Sequence, residues 1–194
     1  MRVLVLRSSL AVLVLTAVFG LAYPAIMTGF AQLAFSNKAN GSIVEVHGKP
    51  VGSRLAAQEF TGSRYFHPRP SAVDYDAAGT SFANLGPTSP DLAREVKRNA
   101  RAVLRLERPY NPGLAIGDIP VDAVTTSGSG IDPDISPAYA KLQSARIAAV
   151  RHLSRGRVAA LIEQATDGRS LGVLGEPGVN VLELNLALDR VAPR

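Results

Sequence analysis

From Ser8 to Phe35 no charged side chain interrupts a run dominated by Leu, Val, Ala and Phe. At about 1.5 Å rise per residue a helix of that length covers roughly 42 Å, more than the roughly 30 Å hydrocarbon layer of a bilayer. The pattern predicts one transmembrane helix over about residues 10–33. A secretory signal peptide also places basic residues, here Arg2 and Arg7, before an apolar run. Its apolar core, however, extends only about 7 to 15 residues and closes on a small-x-small cleavage site, and no convincing site of that kind follows here. The nearest basic residue beyond the run is Lys38. The excess of positive charge on the short side therefore predicts residues 1–9 in the cytoplasm and residues 36–194 as one globular domain outside it.

Beyond the span the period changes. Ser42 to Val46 reads as a short strand, His47-Gly48-Lys49-Pro50 as a turn, and a second short strand should follow. Residues 60–90 are rich in Pro, Gly, Ser and aromatics and hold no sustained period, which in a domain this size marks a segment with a task or a flexible one. Ser89-Pro90 supplies an N-cap and first-turn proline, and Leu92, Val96, Ala100 and Val103 then share one helical face up to about Glu107. The opposite face carries Arg94, Lys97, Arg98, Arg101, Arg105 and Arg108, read first as a solvated face and second as a surface for an anionic partner. Ser136-Pro137 starts another helix to about Leu153, with Leu142, Ala145, Ala149 and Leu153 as its apolar stripe. A third helix is expected from Arg157 to Ala165. The last apolar run, Val179 to Leu188, alternates like a strand, yet Asn180 with Glu183 resembles a capping box, and helix is preferred. The fold class is α+β: an N-terminal transmembrane helix, then one mixed domain.

Composition narrows the function. The 194 residues include no cysteine, so an exported domain must rest on its own core or on partner subunits. The net charge of +5 is no nucleic-acid signal on a domain outside the cytoplasm. Only His47, His67 and His152 offer an imidazole base, and Ser127-Gly128-Ser129-Gly130 lacks the spacing of a nucleophile elbow and reads as a tight turn. No Walker sequence is present, which argues against an ATPase in its own right. Asp122, Asp132 and Asp134 do not have calcium-loop spacing, and Asp-Pro-Asp before a helix start is turn chemistry. No catalytic or metal-ligating residue is assigned.

Two groups of residues read as contact surfaces. Gly20, Ala22, Ala25 and Gly29 would let partner helices approach closely in lipid, with Pro24 as a kink. Tyr65, Phe66, His67 and Arg69 lie in a strip where each of His67 and Arg69 precedes a proline and is pushed toward extended backbone. Tyr, Phe and Arg are residue types that anchor interfaces, so the strip reads either as a docking surface for another subunit or as a segment packed onto its own domain.

A series of motifs runs through the chain: Tyr65-Phe66-His67-Pro68-Arg69-Pro70-Ser71-Ala72, Asn84-Leu85-Gly86-Pro87, Ser127-Gly128-Ser129-Gly130-Ile131-Asp132-Pro133, and Asn180 to Asp189. With Tyr23-Pro24 and Thr28-Gly29 in the span, the chain resembles the C subunits of bacterial Kdp-type potassium-transporting ATPases over essentially its whole length. One departure is Ala78-Gly79-Thr80-Ser81-Phe82-Ala83, where the family has a run richer in Ser and Gly. The resemblance implies a non-catalytic accessory subunit of a high-affinity uptake complex in the plasma membrane. Its partners would be a channel-like A subunit, a P-type ATPase B subunit and a small F subunit. They would handle potassium and ATP, and this chain would bind no cofactor itself. The family is also described as raising the ATP affinity of the B subunit through a glutamine near the Ser-Gly motif, which points to Gln143. ATP is cytoplasmic, so with this topology such an effect would pass through subunit contacts. The competing class is an autonomous, membrane-anchored extracytoplasmic binding protein.

Overall fold

The computed structural model describes residues 1–192. Its uncharged run lies in a single helix, Arg2–Ala39, long and apolar enough to cross a membrane, and its most apolar window has no buried residue. The helix consists of α1 (Arg2–Leu15), a π-helical stretch (Thr16–Ala22) and α2 (Tyr23–Ala39). Pro24 accounts for the change in winding, since it has no N–H to donate and its ring crowds the carbonyl four residues earlier, so the turn before it widens. Carboxamide bonds between Gln32 and Asn40, 3.0 and 3.2 Å, close the helix end.

Residues group into two units, Met1–Ile43 and Val44–Arg194, and the second has its own core. β1 (Ile43–Val46) pairs with β2 (Lys49–Ser53) through the turn expected at His47-Gly48. Both turn residues have positive φ, 53° and 72°, as a tight hairpin requires. Residues 54–89 hold no regular element. Each later α-helix begins at a side-chain cap. Ser89 accepts from the Asp91 N–H at the start of α3 (Pro90–Glu107). Ser136 caps α4 (Pro137–Arg151) by accepting from Tyr139 N–H, and Ser154 caps α5 (Arg155–Gln164) by accepting from Arg157 N–H. That last cap explains why α5 starts two residues before the position expected from periodicity.

β3 (Asp134–Ile135), β4 (Thr166–Asp167) and β5 (Gly178–Asn180) form an antiparallel sheet in the order β3-β5-β4, with Ile135 and Thr166 both opposite Val179. The alternating leucines of the ambiguous C-terminal run are helical, the reading preferred from the capping pattern, and a short strand precedes them. Gly178–Asn180 is the central strand, and Asn180 then caps α6 (Val181–Val191) by accepting from Glu183 N–H.

Of the stripe expected on α4, Ala145 is buried and Leu142 and Leu153 pack half-buried against the core, but Ala149 is exposed; the fully enclosed face is Ala140, Gln143, Arg146 and Ile147. α4 is the central helix, packed by α5 and α3, and two of its most enclosed side chains are polar. Around it lie Phe66, Ile135, Val158, Val179, Leu184 and Leu188, each at most 2 % exposed.

Candidate functional site

The strip at Tyr65 to Arg69 is where buried polar chemistry concentrates. Prolines at 68 and 70 remove N–H donors and keep the residues before them extended, so the strip cannot satisfy its own backbone by helix formation. Side chains from distant helices do so instead. Asn185 on α6 accepts from the Phe66 N–H at 2.8 Å and donates to the Phe66 carbonyl at 2.9 Å. Gln143 on α4 treats the next residue the same way, accepting from His67 N–H at 2.8 Å and donating to its carbonyl at 3.1 Å. A carboxamide holds an acceptor and a donor side by side, as the edge of a strand does, so each substitutes for a missing strand partner.

Arg146 ties these clamps together. With no exposure, it donates to Glu107 Oε1, Tyr65 O and Gln143 Oε1, each at 2.8 Å, and also to Ser63 O. Glu107 is 1 % exposed and its Oε2 has no partner among the described residues. Burial raises the Glu107 carboxyl above the ordinary range, and the Arg146 charge and hydrogen bond oppose that. At the other end of the strip, Arg151 donates to Arg64 O at 2.9 Å and to Asp189 Oδ1 at 2.7 Å. Its guanidinium lies 4.8 Å from the centre of the Tyr65 ring, and the Tyr65 hydroxyl donates to Asp189 Oδ2 at 3.0 Å.

The residues singled out from sequence fall within this arrangement unevenly. Phe66 is fully buried in the core, while Tyr65, His67 and Arg69 are half-buried. Arg69 pairs with Asp132 at 3.0 Å and donates to Thr126 O at 3.2 Å. His67 Nε2 lies 3.0 Å from Gly62 O. Burial, helped by the Arg146 charge, lowers its pKa to about 4, against the opposing effect of that carbonyl. The ring is therefore neutral near pH 7, with its proton on Nε2 donated to Gly62 O. Gln143 is fully buried and its oxygen already accepts from both His67 and Arg146, so it turns no free face to a ligand. Gly20 and Gly29 lie on the exposed helix, where a Cβ at Gly29 would meet nothing within 4 Å.

The Ser-Gly segment is turn structure, as expected. Gly130 has φ +74°, and a Cβ there would lie 2.5 Å from Val73 Cγ2 and 2.9 Å from Ser81 O. Ser71 Oγ donates to Gly130 O at 2.7 Å, and Ser81 N–H donates to Ser129 O at 3.1 Å, so the turn seats residues 71–81. Asp122 accepts from Ser136 N–H and Oγ at 2.7 and 2.9 Å, and Asp132 from Asp134 N–H at 3.2 Å.

Sequence reasoning missed Glu107, Arg146, Arg151 and Asn185. The available signal was a polar residue inside an apolar stretch: Arg146 stands between Ala145 and Ile147, and Asn185 between Leu184 and Leu186. What the ensemble does physically is hold an irregular strip in one conformation.

Comparison with known proteins shows which sequences this chain resembles. The family model for the K+-transporting ATPase c chain, KdpC, matches residues 5–190. Similar curated proteins are each described as a potassium-transporting ATPase KdpC subunit. That of Methylobacterium nodulans is 50% identical over 192 residues, covering 92% of both chains. That of Paraburkholderia phymatum is 52% identical over 179 residues and 91% of both chains. That of Koribacter versatilis is 46% identical over 190 residues, 97% of this chain and 95% of its own.

Proposed function

The chain belongs to the KdpC family, the c chains of K+-transporting ATPases, and from that premise we propose that it is an accessory subunit of a high-affinity potassium uptake complex. The observation that carries this reading is the family match over residues 5–190, which takes in the apolar helix and the globular unit together. In this reading residues 10–33 span the plasma membrane, residues 1–9 are cytoplasmic and residues 36–194 lie outside. A channel-like A subunit and a P-type ATPase B subunit, with a small F subunit, move potassium and consume ATP. The present chain contributes assembly and regulation rather than chemistry.

The clamped strip supplies the physical basis. A segment already fixed by Gln143, Asn185 and Arg146 loses little conformational entropy on docking, so the exposed parts of Tyr65, His67 and Arg69 offer the A subunit a preformed edge. Gly20 and Gly29 offer small contact points to partner helices. Gln143 acts on nucleotide handling by the B subunit only through this strip, since its amide is enclosed.

The test is co-purification of the complex from cells grown on limiting potassium, using the full chain with a reporter at its C-terminus that is active only outside the cytoplasm. Reporter activity, recovery of the partner subunits, and loss of both growth and recovery on deletion of the chain are expected. A chain that purifies alone, and whose deletion leaves uptake unchanged, is an autonomous binding protein.

A further inference from the structure

The exposed face of α3 carries an arginine row with unusual regularity. Arg94, Arg98, Arg101, Arg105 and Arg108 follow one another at steps of four, three, four and three, so all fall on one stripe, with Lys97 beside it. Every one of these side chains is exposed. The row runs the length of the helix, roughly 20 Å at 1.5 Å per residue. Arg94 pairs with Asp91, and Arg108 Nε donates to Leu114 O at 3.0 Å. Among the described residues no carboxylate pairs with Lys97, Arg98, Arg101 or Arg105.

A face that serves only solubility usually alternates charge, placing Glu four residues before Lys or Arg. Here Arg94 and Arg98, Lys97 and Arg101, and Arg101 and Arg105 put like charges on successive turns, which weakens the isolated helix. Of the three acids on α3, Asp91 offsets only Arg94, Glu95 has no ion pair among the described residues, and Glu107 is turned inward onto Arg146. Arg101, Arg105 and Arg108 border an open hollow with Leu104 and Pro109, but Arg94, Lys97 and Arg98 lie outside it, so the row as a whole outruns a single anion and matches a plane of phosphates better. Guanidinium forks suit phosphate oxygens in particular.

We propose that the arginine face of α3 docks on the anionic phospholipid headgroups of the membrane that holds the chain's own span. The occupant is chosen by tethering. Only residues 40–43 separate the end of α2 from Val44, so the second unit is permanently held beside a bilayer and meets its headgroups at high effective concentration. The proposal rests on the membrane-span reading of residues 10–33, and the experiment checks that part separately.

The chain has no cysteine, so Ala102→Cys, exposed beside the row, accepts a single nitroxide label. The labelled full chain, free of affinity tags, is placed in nanodiscs of phosphatidylcholine alone or mixed with phosphatidylglycerol. Each disc also holds a trace of lipid with a nickel-chelating headgroup. Recovery of the chain in both discs verifies the span. Collisional relaxation of the nitroxide by headgroup nickel then reports docking. It should rise in the anionic discs and disappear at about 0.5 M salt, where charges are screened within a few ångströms. Arg98→Gln, Arg101→Gln and Arg105→Gln should each lower the docked-to-free ratio roughly fivefold, whereas the corresponding lysine variants should retain most of it. Equal relaxation in both discs, or indifference to the three glutamines with circular dichroism unchanged, overturns the proposal. So does immobilisation of the label that requires the other subunits and occurs equally in neutral lipid, because a protein surface then covers the row.

Discussion

The strip at residues 63–69 and the hairpin at residues 169–176 are both irregular, yet they are stabilised in opposite ways. The hairpin is local: Ser170 and Leu174 exchange backbone hydrogen bonds of 2.9 Å, and Arg169 grips Glu176 through both carboxylate oxygens. Its apolar side chains are left in the open, Leu171 at 90 % exposure and Val173 at 72 %. In the strip, Phe66 is at 0 %, and its backbone partners come from Gln143, Arg146 and Asn185 on two helices far along the chain. The irregularity itself says nothing about rigidity; what matters is whether the groups that satisfy the backbone are local or buried and remote. Damage to the strip's partners should therefore spread through the domain, and damage to the hairpin should stay where it is made.

The harshest way to break that contrast is Arg146→Met. It leaves Glu107 buried without its partner and removes donors from the Ser63 and Tyr65 carbonyls. Loss of one member of a buried pair costs about 3–5 kcal/mol, a large share of a domain's stability. Chemical denaturation of the full chain in detergent should show a loss in that range, partly recovered when Glu107→Leu is added. A loss below about 1 kcal/mol would mean that the Gln143 and Asn185 clamps and the apolar contacts hold the strip without Arg146.

That network also marks where sequence reading stopped. The capped starts of α3 and α4 were visible because Ser-Pro places an N-cap and an N1 residue in adjacent positions, and capping is local. The hairpin turn at His47-Gly48 was visible for the same reason. The fully enclosed face of α4 was not, because a search for apolar periodicity passes over Gln143 and Arg146, which are enclosed as partners for the strip rather than as apolar surface. The strand at Gly178–Asn180 was hidden because its pairing with Asp134 and Thr166 depends on residues far away. The motif series identified the family and the strip, but which atoms clamp it depends on long-range packing.

Acidification should sharpen the contrast with a smaller effect. The His67 pKa is lowered to about 4 in the fold, against 6.5 in the unfolded chain. Between those values the unfolded chain takes up a proton that the folded one refuses, so stability is complete above about pH 6.5, declines as the pH falls, and levels off below about pH 4. The full shift corresponds to roughly 3 kcal/mol. Glu107 and Asp134, whose carboxyls burial raises, titrate in the opposite sense, so the comparison has to be made against a variant that retains them. His67→Gln keeps a neutral donor for the Gly62 carbonyl, and its denaturation midpoint should fall less between pH 7 and pH 4.5 than that of the parent chain. Parallel pH profiles would show that His67 does not carry this dependence.

The mildest test lies in the hairpin. Leu171 has φ +55° and Gly172 has φ +77°, two successive left-handed residues in the three-residue loop between Ser170 and Leu174. Glycine adopts that conformation freely, whereas a leucine there sets its Cβ against the backbone at a cost of about 1–2 kcal/mol. Its side chain is 90 % exposed, so burial within the chain returns almost nothing. Asparagine tolerates left-handed φ far better, and Asn-Gly is a favoured pair where two successive residues take positive φ. Leu171→Asn should therefore stabilise the full chain by about 0.5–1 kcal/mol, read as a small rise in Tm with circular dichroism unchanged. A clear fall in Tm would mean that Leu171 has contacts supporting the fold, and the hairpin would then belong with the strip rather than opposite it.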